Sequence, residues 1–291
     1  MTISSRWNVS ILDDWIVYMY RPILIGGHNG MKIFKRTDVC VLVLVLSVCI
    51  GGSVSAFAQG DEIQVYDGGL ANVGTFNLTL HNNFTPKGVK TPAFPGAIIS
   101  DHSLNGVPEW ALGVTKWFEA GLYMPLYSID KDQGAKFDGF KLRALFAVPG
   151  ADDRKFFYGA NFEFSVNAKH WDEKRFTSEV RPIIGWHLKP VDIIYNPIVD
   201  TNYTGGFKNL EYVPSTRVAY NLDNGWAIAA EHYADFGPLR HFYSVHDQAH
   251  QIFAVFDHSS KAMDVEFGAG IGVTASSDKF QLKLILSRDL N

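Results

Sequence analysis

Met263-Asp264-Val265-Glu266-Phe267-Gly268-Ala269-Gly270-Ile271-Gly272-Val273 decides the fold class of this chain. Met263, Val265, Phe267, Ala269, Ile271 and Val273 fall on one side of an extended strand. Asp264, Glu266 and three glycines fall on the other, because side chains alternate across a strand with period two. The same alternation recurs at Phe280 to Leu286, where Phe280, Leu282, Leu284 and Leu286 oppose Gln281, Lys283 and Ile285. From Phe156 to Val166, six apolar or small residues oppose Gly159, Asn161, Glu163 and Ser165.

Working outward, clear alternation runs over Phe76 to Phe84, Phe118 to Tyr127, Phe140 to Phe146, Val180 to Leu188 and Leu210 to Tyr220. Weaker versions cover Trp110 to Trp117, Asp192 to Tyr203, Trp226 to Asp235 and Gln251 to His258. That makes about twelve antiparallel strands, and no stretch sustains an apolar helical period. Their lengths approach the ~9–11 residues of a membrane-crossing strand, beyond the ~5–6 usual in soluble sheets.

The gaps between strands carry the second signal. Thr85 to Glu109, Ser128 to Gly139, Asn167 to Glu179 and Phe236 to His250 are long. Lys116-Trp117, Pro149 to Lys155, Lys189-Pro190-Val191, Asn221 to Gly225 and Ser259 to Ala262 are short. Thr204 to Asn209 is intermediate, and Thr274 to Lys279 is brief where a longer loop is due. Long and short connections in alternation put elaborated loops at one end of a sheet and plain turns at the other, as in an even-stranded transmembrane barrel. Phe118, Tyr127, Phe156, Phe157, Tyr158, Trp186, Tyr195, Tyr203, Tyr212, Tyr220, Trp226 and Tyr233 lie mostly near strand ends, where interfacial girdles form.

Composition agrees. Charged residues make up 19% of the 291 and aromatic residues 14%, a low-charge, aromatic-rich chain. The net charge of −4 argues against nucleic acid as a partner. Met31 to Arg36 is basic, Val39 to Ile50 is almost wholly apolar, and Ala56-Phe57-Ala58 ends the run. That order is a secretory signal peptide over 31–58. Residues 1–30 then form an upstream extension, and 59–291 a single barrel domain. Cys40 and Cys49, the two cysteines, both fall in the signal.

In a barrel the lumen receives Glu119, Lys141, Arg143, Glu163, Arg181, His187, Glu211, Arg217, Asp264, Glu266 and Lys283. Two readings are open. Opposed charges could form a constriction that orients a passing solute, or a network of pairs could fill and stabilise a narrow barrel. His246 and His250 have an i, i+4 spacing that suits a metal on a helix, but no helix is expected there; they are weak metal candidates, and no cofactor is expected. Ser215 shares a side with Glu211 and Arg217 but has no histidine fixed beside it. No G-x-S-x-G or His-x-Ser pattern occurs, so catalysis is not expected.

Leu112-Gly113-Val114-Thr115-Lys116-Trp117-Phe118-Glu119-Ala120-Gly121-Leu122-Tyr123-Met124-Pro125 resembles the strand, polar-aromatic turn and Gly-aromatic-x-Pro strand of a bacterial outer-membrane family. That family is the MetA-pathway of phenol degradation group of transporter-like barrels. Gln64-Val65-Tyr66-Asp67 and Gly74-Thr75-Phe76-Asn77-Leu78 are similar to it in style. The resemblance implies an outer-membrane barrel passing aromatic or other small hydrophobic compounds, with no catalytic residues to carry over.

The sequence thus predicts a Gram-negative-type outer-membrane barrel acting as a passive channel, its entry filtered by the long loops at 85–109 and 236–250. Its expected partners are outer-membrane lipid, a small solute and the barrel assembly machinery. A non-conducting barrel, an outer-membrane hydrolase and a soluble periplasmic sandwich are the alternatives.

Overall fold

The computed structural model describes residues 60–291. The signal-peptide reading of 31–58 and the extension reading of 1–30 fall outside those residues. Twelve wall strands follow in chain order: β1 (Phe76–Lys87), β2 (Ser103–Thr115), β3 (Phe118–Asp130), β4 (Gly134–Ala147), β5 (Phe156–Asn167) and β6 (Phe176–His187). Then come β7 (Val191–Asn196, continued by Val199–Thr201) and β8 (Glu211–Tyr212, continued by Ser215–Asn221). The last four are β9 (Trp226–Asp235), β10 (Ala249–His258), β11 (Asp264–Gly272) and β12 (Phe280–Asp289).

Each strand pairs antiparallel with the next, and β12 returns to β1 with Asn77 opposite Asp289 and Asn83 opposite Lys283. The sheet is therefore a closed twelve-stranded barrel without open edges. Both breaks, in β7 and in β8, fall beside a proline, Pro197 and Pro214, which has no N–H to give the ladder.

All twelve expected strands are present, several of them reaching further toward the loop end than expected, and two of the expected loops change character as a result. The expected loop from Ser128 to Gly139 is a tight turn at 131–133. There the Asp130 carboxylate accepts the N–H groups of Asp132 (2.6 Å) and Gln133 (2.7 Å), and Gly134 takes φ +72°. β2 begins at Ser103, well before Trp110. Its Asn-Gly-Val-Pro run looks like a loop, yet Ser103, Asn105 and Val107 all turn inward, and a register irregularity between Gly106 and Glu109 accommodates Pro108.

The two faces exclude the soluble sandwich. Outward side chains are apolar and bare: Phe137 is 53% exposed, Leu142 51%, Phe256 54% and Ile271 55%. Inward ones are charged and covered: Lys283 is 0% exposed, Glu163 3% and Arg143 6%. A soluble core would reverse the two sets, and so large an apolar exterior needs lipid around it. In β11 the inward glycines make room for neighbours. A Cβ on Gly270 would lie 2.5 Å from the Phe253 ring, and one on Gly268 2.8 Å from Lys283 carbons.

Aromatic rings rim the apolar belt. At the end with the short turns, Trp117 stacks near Phe146, Phe156 packs on Trp186, and Trp226 stacks on His258. At the loop end Phe164 stacks on Phe176. Phe157 and Tyr233, expected in the girdle, instead face inward: Phe157 is fully buried and Tyr233 donates its hydroxyl to Glu231 Oε2 (2.6 Å).

Both have partners there because the segment preceding β1 lies inside the barrel. Ile63 packs against Phe253 and Val255, while Val65 and Tyr66 join Leu145, Phe157, Ile183 and Ile194. Wall side chains satisfy its backbone. Asn83 donates to the carbonyls of Gly60 (2.7 Å) and Asp61 (3.0 Å), and Asn196 both accepts from Tyr66 N (2.8 Å) and donates to Tyr66 O (3.0 Å). Lys283 Nζ reaches Ile63 O at 3.2 Å and Arg181 reaches Gln64 O at 3.1 Å. The segment leaves at the turn end, where Gly74 N bonds Gly113 O (2.7 Å) and Gly74, at φ +82°, turns the chain into β1.

Candidate functional site

The interior divides into two tiers. The turnward tier is a set of paired charges delivered by alternate strand positions. Arg143 of β4 lies 2.6 Å from Glu109 of β2 and also bonds Glu119 of β3; Glu109 meets His81 Nε2 at 3.1 Å. Glu119 in turn accepts Ala71 N at 2.5 Å. Across the barrel Lys283 of β12 sits 2.5 Å from both Glu231 and Glu266, and Arg217 of β8 contacts Glu231, Asp257 and Glu266. These groups are charged together because no one of them could stay buried alone.

Between this tier and the loop end, Lys141 bridges Asp61 (2.6 Å) and Glu163 (3.3 Å). Arg181 clasps Glu179 with two donors (2.6 and 3.0 Å), its guanidinium 4.5 Å from the Tyr66 ring centroid. At the turn end itself, His187, the last residue of β6, bonds Asp192 (2.8 Å) and stacks on Phe157.

Above residues 60–62 a cavity of about 530 Å³ opens toward the loop end. Its floor is Gly60, Asp61 and Glu62 of the inserted segment rather than wall. Ala93, Phe94, Ala97 and Ile98 of the 88–102 loop line its mouth, tied across it by Ile98 N to His170 O (3.1 Å). The loop's other anchor is Asp278, whose carboxylate accepts Val89 N (2.8 Å) and the Ser100 hydroxyl (2.5 Å). Burial pushes the Asp278 carboxyl above its ordinary range despite those bonds, whereas the Gly88 N–H holds that of neighbouring Asp101 below it.

Of the residues expected in the lumen, Glu119, Lys141, Arg143, Glu163, Arg181, His187, Arg217, Glu266 and Lys283 take inward places in these networks. Glu211 stands half-buried at the cavity rim. Asp264 is the exception. It has the right parity but occupies the first rung beyond the 259–263 turn, exposed, accepting the Ser259 hydroxyl (2.6 Å).

The expected filter at 236–250 is also corrected in part. Residues 236–248 stay out of the cavity lining; Phe236 and Phe242 pack with Tyr212, and His250 stacks on His232. His246 pairs with Asp247, and among the described residues no group of three or more His, Cys, Asp or Glu side chains is disposed to hold a metal. Ser215 Oγ reaches Asn196 Oδ1 at 3.5 Å.

Several functional residues escaped the sequence reading. His81, Glu231 and Asp257 sit at inward parity in predicted strands, so the alternation held their signal, whereas Glu109 and Glu179 fell in expected loops that the strands beginning at Ser103 and Phe176 take over. Asp61 and Glu62 precede every strand and had none of their own. The indirect signal was Leu145, Phe157, Ile183, Ile194, Phe253 and Val255, apolar residues at inward parity that a water-filled lumen would not bury.

No protein-family model matches the chain, and no curated protein does. Among solved structures, the COG4313 outer membrane channel from Pseudomonas putida F1 aligns over 79% of this chain and 100% of its own, with a TM-score of 0.54 at 14% identity. A bacterial polysaccharide outer membrane secretin covers 76% of this chain and 100% of its own at TM-score 0.40 and 8% identity. Salmonella typhi OmpF, solved in complex with daunomycin, covers 78% and 100% at TM-score 0.36 and 10% identity. The first of these likenesses concerns the fold, and with the apolar belt it makes this chain a transmembrane β-barrel of the outer-membrane type.

Proposed function

We propose that the protein is a non-enzymatic outer-membrane channel that passes small solutes by diffusion, aromatic and other modestly hydrophobic ones among them, in a state where the inserted segment has withdrawn. The observation that carries this reading is the floor of the cavity. A solute entering from the loop end meets a closure built from residues 60–66, joined to the barrel by side-chain hydrogen bonds and packing rather than by strand pairing. Such a closure can leave without opening the sheet. The outer surface meets lipid, the assembly machinery inserts the barrel, and the short turns face the periplasm.

Planar-bilayer recording tests it. The purified protein gives small, intermittent conductance steps, and a variant lacking residues 60–72 gives larger, steadier ones. Silence from both variants, in preparations that show the heat-dependent gel shift of a closed barrel, overturns the channel. It would instead favour a non-conducting barrel, the reading that the packed turnward tier supports.

A further inference from the structure

We propose that the loop-end cavity is a binding site for an organic cation, an ammonium or guanidinium group carried on an apolar body. The inference deepens the channel reading, since it names the class of solute that enters, but its test does not need conduction.

Charge sets the sign. Ten carboxylate side chains line this cavity against three from lysine and arginine. The two buried cations are already committed, Lys141 to Asp61 and Glu163, and Arg181 to Glu179 and the Gln64 carbonyl. A cleft with so one-sided a lining concentrates cations and repels solute carboxylates and phosphates.

The second observation is Glu62. Its side chain is 2% exposed and lines the cavity floor, and neither carboxylate oxygen accepts a hydrogen bond. Arg181 comes no closer than 3.6 Å, turned toward its own partners. Asp200 Oδ1, on the β7 wall of the same cavity, is also buried without a hydrogen bond. Buried acceptors left unsatisfied are costly, and groups of one polarity left so in one cavity mark where a donor belongs. An ammonium or guanidinium brings both the charge and the N–H groups that these oxygens lack. A bare metal ion fits less well, because among the described residues no three His, Cys, Asp or Glu side chains are gathered to hold one. Phe94, Ile98, Trp171 and Tyr233 supply apolar surface for the rest of the solute, and the three aromatic ones among them carry π faces of the kind that attracts a cation.

The test is calorimetry on the full-length protein in a non-ionic detergent, with phenethylamine, protonated at pH 7.5, and 3-phenylpropionate as its anionic counterpart of similar size. Phenethylamine binds saturably and 3-phenylpropionate does not. Glu62→Gln, on a segment outside the wall, weakens the amine about tenfold or more, and adding Asp200→Asn removes measurable binding. Equal binding of the two probes, preference for the acid, or amine affinity unchanged in Glu62→Gln overturns the proposal. Conductance without amine binding would leave the channel standing and remove the cation site; amine binding without conductance would do the reverse.

Discussion

Lys283 and Glu62 both have buried side chains in the same barrel, yet one is surrounded by close partners and the other has one distant cation and no hydrogen bond. Lys283 touches Glu231, Glu266, the Ile63 carbonyl and the Tyr233 hydroxyl. Glu62 has a single cation at 3.6 Å and no hydrogen bond. In the turnward tier each carboxylate meets a cation at 2.6 Å or closer, and that pairing offsets its desolvation. The loopward cavity is an incomplete one, with acceptors in excess. The contrast bears on the two readings that mixed lumen charges allowed: close pairing dominates toward the turns, and the excess of carboxylates is greatest at the end a solute would enter.

The sharpest break of that contrast is Lys283→Met. It leaves Glu231 and Glu266 facing each other and Arg217 alone, without the central cation. Removing one partner of a buried network costs about 3–5 kcal/mol. The urea midpoint of unfolding, followed by heat-modifiable gel mobility, should fall accordingly. A midpoint within error of the wild type would mean that water reaches this tier freely and that the pairs are not structural.

Asn196→Ala probes the join between the tiers. Its side chain holds the Tyr66 backbone by two hydrogen bonds, and losing them leaves a buried N–H and carbonyl unpaired. A shift of about 2 kcal/mol toward the withdrawn segment is expected, roughly thirtyfold in the closed-to-open ratio. Single-channel open probability reads it directly. An unchanged open probability would show that apolar packing by Val65 and Tyr66 alone sets the closure.

Much of the turnward tier is legible in the sequence itself. Period two marks every wall strand, and parity carries Arg143, Arg217 and Lys283 to the inner face. Alternation does not say whether inner means core or lumen. What decides it is that Phe137 and Ile271 are bare while Lys283 is covered. The loopward tier is much less legible. Its floor comes from a stretch with no strand period of its own, held by contacts that span more than a hundred residues, such as Tyr66 with Asn196. Asp264 departs from its expected place for a local reason, since parity does not reveal where a strand clears the rim of the barrel.

Asp200→Asn tests the loopward tier with the opposite expectation to Lys283→Met. Removing a carboxylate from a region with too many should leave stability within about 0.5 kcal/mol of the wild type, because no cation loses a direct partner. Ion selectivity should move instead. In a salt gradient the reversal potential of the open channel shifts away from the cation-selective limit, since a fixed charge beside the path sets the local ion concentration. A clear loss of stability with unaltered selectivity would place Asp200 among the paired, structural charges.

The smallest effect is expected at Asp278, where the loop over the cavity is anchored. Its Oδ1 accepts the Val89 N–H and the Ser100 hydroxyl, both of which the asparagine carbonyl in Asp278→Asn can accept; the bond given up is the one from Gln281 Nε2 to Oδ2 (3.1 Å), which lies on the β12 side and not in the loop. Because burial raises the folded-state carboxyl, folding favours its protonated form. The cost of the buried charge is therefore present at neutral pH and is relieved as pH falls through the raised value. Protection of the 88–102 loop from limited proteolysis should be unchanged or slightly greater in Asp278→Asn at pH 7, and should not weaken in the wild type between pH 7 and pH 5. Asp278→Ala, which removes the acceptor altogether, should expose the loop to cleavage. If Asp278→Asn exposes it as much, the negative charge itself holds the loop, and the acidic lining would then serve to close the cavity as well as to attract what enters it.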